Sequence, residues 1–222
     1  MPLTRLANGK LIYFSHAPKC AGTAVERYLQ NRFGPLGLLD PAFGRRNPVD
    51  AWSLSPPQHM PEAVRRELLP DTLFDAHFAT VRHPATRLRS VFLFQREVEK
   101  SLPLTLRFER WLDTLPRTLA LDVYALHGHL RPITDYVPET ARVFRVEDGL
   151  DAVVDWLDAE AGGADGPRQI SAANVLATRL GEAMPAMPPL TSSICAQIAT
   201  LYPSDYERFS YDIEPPAYKE TS

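Results

Sequence analysis

The chain has 222 residues, 45% of them apolar and 23% charged, and a formal net charge of -3. That composition belongs to an ordinary folded protein with room for one sizeable core and no demand for a second domain. The balance excludes general nucleic-acid binding, which needs a basic excess or stripe, so no nucleic-acid partner is expected and any basic site must be local.

In chain order, the stretch MPLTRLANGKLIYF lacks the long apolar region of a secretory signal. No window approaches about 18 uninterrupted apolar residues, so no transmembrane segment is expected. Two cysteines, Cys20 and Cys195, are too few for a disulfide framework and read as free thiols of a reducing, cytoplasmic compartment. Residues 11–14 (LIYF) fit a buried parallel strand. A break at 15–18 leads into Lys19-Cys20-Ala21-Gly22-Thr23, and residues 24–32 form helix. Residues 33–57 are rich in Gly, Pro, Asn and Asp and predict a long loop of the kind that is often functional. A helix is predicted over 61–69 with Pro61 in its first turn, a strand over 78–81, and a long helix from Pro84 to about Lys100. An amphipathic helix over 104–115, a loop over 127–137, a strand over 141–146 and a helix over 150–157 follow. After two further loops, a last helix over 191–201 is expected to stop at Pro203. The 21 prolines predict many loops and short elements. Alternating strands and helices predict an α/β fold, three layers with a central, mainly parallel sheet, as one domain over residues 1–222.

Two strand-to-helix turns carry chemistry. The first is Pro18-Lys19-x-x-Gly22-Thr23. Backbone N–H groups of residues 21–24 converge there, the helix dipole is positive, Gly22 permits close approach, Thr23 adds a hydroxyl and Lys19 a full charge. The Walker order is not met, because Lys19 precedes Gly22 instead of following it. The second is Arg82-His-Pro-x-x-Arg87-x-x-Ser90. Arg82 offers a planar fork and Ser90 a short hydrogen bond to an anion, with Arg87 on the same helical face as Ser90. His83, inside this element, reads as structural.

This pair of motifs resembles the PAPS-dependent sulfotransferases, most closely the carbohydrate-type family with a PKxAGT signature, in a P-loop-like fold. PAPS is 3′-phosphoadenosine 5′-phosphosulfate. The resemblance implies that the turn from Lys19 through Cys20, Ala21, Gly22, Thr23 and Ala24 holds the 5′-phosphosulfate, with Cys20 as its variable position. It implies that Arg82 and Ser90 hold the 3′-phosphate. Arg131-Pro132, residues 144–148 (FRVED) and residues 202–209 extend the match over most of the chain, while Ile133 departs from the Gln that many relatives carry. His59, in the Pro-rich segment SPPQHMP, stands about where that family has a catalytic His. An imidazole suits removal of a proton from an acceptor hydroxyl near neutral pH. His77, His127 and His129 are competing bases. Trp52, Phe43 and Tyr13 could stack on a base or sugar, with core packing as the default reading.

The implied reaction moves a sulfuryl group from PAPS to a hydroxyl, on a carbohydrate or glycolipid, leaving adenosine 3′,5′-bisphosphate and using no metal. Two rivals are a P-loop kinase or nucleotide hydrolase using magnesium–ATP, and a catalytically silent PAPS-binding relative.

Overall fold

The computed structural model describes residues 2–45, 47–51, 53–171, 180–181 and 184–216; Trp52 lies outside them. The fold is α/β, with a four-stranded mixed sheet and seven α-helices among the described residues. The chain divides into two compact units, residues 1–81 with 133–172, and residues 82–132 with 173–222.

The first unit holds the whole sheet, in the order β1 (Leu3–Arg5), β2 (Leu11–Ser15), β3 (Ala76–Val81), β4 (Arg142–Arg145). β2, β3 and β4 run parallel and β1 is antiparallel to β2. The register pairs Tyr13 with His77 and Phe14 with Phe78, so alternate residues sort onto opposite faces. On one face Phe14 stacks on Phe78, and Trp156 of α5 (Asp151–Ala161) packs on Phe78 and Phe144. On the other, Tyr13 meets Phe74, His77 and the Arg65 guanidinium of α2 (Glu62–Leu68). α1 (Gly22–Phe33) is tied to α5 by Arg32, whose Nη2 lies 2.6 Å from Asp158.

The second unit is helical: α3 (Pro84–Leu93) passing into a π-helical turn (Phe94–Val98), α4 (Phe108–Leu121), α6 (Ser192–Leu201) and α7 (Pro203–Phe209). Its core is one cluster including Leu88, Val91, Phe92, Trp111, Leu112, Leu115 and Ile198.

Three differences from the sequence reading have physical causes. β1 has only three residues and is held by its ladder to β2 and by a bridge from Leu3 to Gly37, so it carries no apolar pattern of its own. α4 begins at Phe108 because Leu104 is exposed; it continues past Leu115 with Pro116 inside it. Pro203 starts α7 instead of only ending α6, since a first helical turn has no use for the N–H that proline lacks. No helix among the described residues is long and apolar enough to cross a membrane.

Candidate functional site

The first of the two turns is built where β2 ends. Lys19 and Ala21 both have positive φ, 65° and 64°, flanking Cys20. Such a conformation is strained for residues with a side chain, and alternation of this kind bends successive N–H groups toward one concavity. α1 then starts with Ala21 as its cap residue and no side-chain cap. Cys20 is buried and its carbonyl accepts a 2.5 Å hydrogen bond from the Thr80 hydroxyl of β3, which pins the turn to the sheet. Lys19 and Thr23 are half-buried at the surface of the turn.

The donors are fewer than the sequence suggests. The Cys20 N–H goes to Ala17 O, and the Ala24 N–H goes to Ala21 O at 3.0 Å in a tight first turn. The Ala24 N–H is thus used inside the first turn, which leaves the N–H groups of Ala21, Gly22 and Thr23 as the candidate donors of the turn. Gly22 also has a different duty from close approach to a phosphate. A Cβ there would lie 1.7 Å from Nε2 of His16, so the glycine makes room for an imidazole.

His16 is the residue that sequence reasoning missed. It is 7% exposed, its Nδ1 lies 2.6 Å from Oε1 of buried Glu26, and its ring stacks on Phe14. Its ring also crosses that of His59, with centroids 4.3 Å apart at 74°. His16 stands directly after an apolar strand and Glu26 one turn into the following helix, a spacing that does not by itself signal a contact.

His59 ends a 3₁₀ turn, Pro57–His59, held on several sides. Gln58 exchanges two hydrogen bonds with the backbone of Asp40 in the long loop, His59 N–H donates to Pro56 O, and Ser55 Oγ donates to His59 O. The His59 Nδ1–H donates to the carbonyl of His16 at 3.0 Å. A carbonyl only accepts, so this bond fixes Nε2 as the basic nitrogen of the neutral ring. Lys19, His16, Glu26 and His59 are thus brought to one end of β2.

His77 sits elsewhere, near the start of β3, with Nδ1 on Thr140 Oγ1 and a buried Nε2 that has no hydrogen-bond partner. Parallel pairing sets it opposite Tyr13 in the middle of β2, on the face away from Phe14 and Phe78. Burial first, and the Arg65 charge second, hold its imidazole below the usual value. Tyr13 and Phe43 are buried, as core aromatics.

In the second unit, Arg82 follows β3 directly and Ser90 lies in the second turn of α3, both half-buried. Arg89 joins them. Burial and then the positive charge of Arg82 hold its guanidinium below the ordinary value, and its Nε is buried with no hydrogen-bond partner. Arg87 is instead fully buried, its Nη2 donating to the carbonyls of His129 and Arg131, so it braces the loop. His83 caps α3 by accepting from Ala85 N–H, while its Nε2–H donates to Asp212 O. His129 is buried against Gln95 and His127 is exposed. Among the described residues no cluster of His, Cys, Asp or Glu is arranged to hold a metal.

No family model, curated protein or solved structure matches the chain.

Proposed function

We propose that the protein is a sulfotransferase of P-loop-like fold that moves a sulfuryl group from PAPS to a hydroxyl acceptor, a carbohydrate or glycolipid. The observation that carries this reading is the turn itself: two non-glycine residues at positive φ, an uncapped helix start and a lysine, with His59 bonded through Nδ1 to the carbonyl of His16, the residue that ends β2's approach to the turn. Strained backbone is a reason to look for function, and on this reading the N–H groups of Ala21, Gly22 and Thr23 serve the donor's phosphosulfate.

The reaction is an in-line displacement. The acceptor oxygen forms a bond to sulfur as the bond from sulfur to the bridging phosphate oxygen breaks. The hydroxyl proton goes to Nε2 of His59, and Lys19 with the turn amides neutralises charge on the departing phosphate. The reading assigns the donor's 3′-phosphate to Arg82 and Ser90, with Arg89 as a further cation. Adenosine 3′,5′-bisphosphate and a sulfate ester are the products, and no metal enters the scheme.

The test is transfer of labelled sulfate from PAPS to a panel of simple carbohydrates and glycolipids by wild type and by Lys19→Ala. Loss of one such donor lowers turnover by about 10²–10³-fold. Equal turnover in the two proteins would remove Lys19 from the mechanism. Phosphoryl transfer from magnesium–ATP in place of sulfuryl transfer would overturn the class.

A further inference from the structure

His16 and Glu26 are unusual core residues. Both are buried, and their side chains meet at 2.6 Å. Enclosing a charged or strongly polar pair gives no net stability over apolar residues of the same volume, so such a pair calls for another reason. The surroundings supply one. The ring of His16 is held on three sides, by Glu26 at Nδ1, by the Phe14 ring on a face, and by the space over Gly22 at Nε2. What that fixed ring and its carbonyl meet is His59: the rings cross at 4.3 Å and the carbonyl takes the His59 Nδ1–H.

We propose that Glu26 and His16 are positioning residues for His59, an inference that rests on the reading of His59 as the base. Glu26 sets the plane and tautomer of His16. The His16 ring and carbonyl in turn set the plane and tautomer of His59, leaving Nε2 as its basic nitrogen. Glu26 rides on α1, the helix whose first N–H groups form the anion cradle, so one element carries both the donor-binding turn and the anchor of the base. This arrangement needs a bare Gly22, because any side chain there would displace His16.

The experiment reads the ring nitrogens of the ligand-free protein by nitrogen-15 magnetic resonance, in wild type, Glu26→Gln and His16→Asn. Glu26→Gln keeps the shape and removes the carboxylate. His16→Asn keeps a donor near the Nδ1 position and removes the ring that crosses His59. Wild-type His59 is expected as the Nδ1–H tautomer, with its ring signals shifted or broadened in both variants. Turnover is expected to fall about 10–100-fold in kcat, with KM for the donor changed by less than about twofold. Combined with His59→Ala, neither variant lowers the rate further. A packing role alone would lower the unfolding midpoint and leave the His59 tautomer and kcat in place, and that result overturns the proposal. So does a wild-type His59 protonated at Nε2 instead of Nδ1. Should His16→Asn fail to fold, Glu26→Gln decides alone. The spectra need no turnover, so an inactive wild type with the expected ring signals strikes the transfer reading only, while unchanged His59 signals in the variants strike the positioning whatever the activity.

Discussion

At the scale of single residues, Gly22 and His77 each make a checkable demand. Placing a Cβ on Gly22 drives it into a ring wedged among Phe14, Glu26 and His59, which cannot swing away as a surface side chain would. Gly22→Ala is expected to destabilise by about 1–3 kcal/mol, as overpacking does. In a His16→Ala background the same change should cost little, because the clashing ring is gone and alanine favours helix. Equal costs in both backgrounds, read from denaturant midpoints, would refute the account of Gly22. For His77, burial and the Arg65 charge lower the folded pKa from an unfolded value of about 6.5. The unfolded chain then takes up its proton first. The stability this gives is fully present above the unfolded value and is lost as pH falls from there toward the lower folded one. His77→Gln should show a smaller drop in melting temperature between neutral and mildly acidic pH than wild type. The strand-to-helix turn was legible from sequence, since Lys19, Gly22 and Thr23 stand out by type and spacing after an apolar run. The His16–Glu26 pair was not, because the contact depends on how a strand end meets the face of the next helix, and no spacing rule encodes that.

At the scale of elements, α2 is seven residues long, too short to be helical on its own account, and it is held through Arg65. That side chain is 1% exposed, lies over the Tyr13 and Phe74 rings, and joins Glu62, Asp71 at 2.6 Å and the Leu69 carbonyl at 3.2 Å. Arg65→Ala is expected to cost about 2 kcal/mol in urea unfolding, through lost packing and charge-assisted hydrogen bonds. Arg65→Lys should recover less than half, since an ammonium cannot match the forked geometry. Full recovery by lysine would mean that the charge alone matters. α2 follows Met60 and Pro61 in the chain, and the buried Met60 side chain packs with Tyr13 and Phe74, one residue after the proposed base His59. Most elements could be read in advance: the apolar runs became β2, β3 and β4, and Pro84 and Thr191 start and cap helices as their chemistry suggests. What could not be read were elements defined by partners. β1 exists through its ladder, and the π-helical turn after α3 has a local sequence that reads as continuous helix.

At the scale of the whole molecule, a net charge of -3 means that no general positive field gathers anions, so anion affinity must come from built sites. On the proposed reading, the turn at Lys19 in one compact unit and Arg82 with Ser90 in the other would be two such sites. If both serve the donor, adenosine 3′,5′-bisphosphate should stabilise the protein far more than adenosine 5′-monophosphate does. A ligand at about 100 times its Kd adds about 2.7 kcal/mol, which for a chain of this size raises the melting temperature by roughly 5–10 °C. Magnesium should make no difference, because the proposed contacts are amides, an ammonium and guanidiniums. Arg82→Ala should bring the bisphosphate response down to that of the monophosphate, and Lys19→Ala should weaken both. The comparison is discriminating because each alternative fails it differently: a kinase or hydrolase responds to magnesium–ATP, and a solvated Arg82 leaves the two adenosine nucleotides indistinguishable in wild type. A silent nucleotide-binding relative would give the full bisphosphate response, and only the sulfate-transfer assay would then expose it.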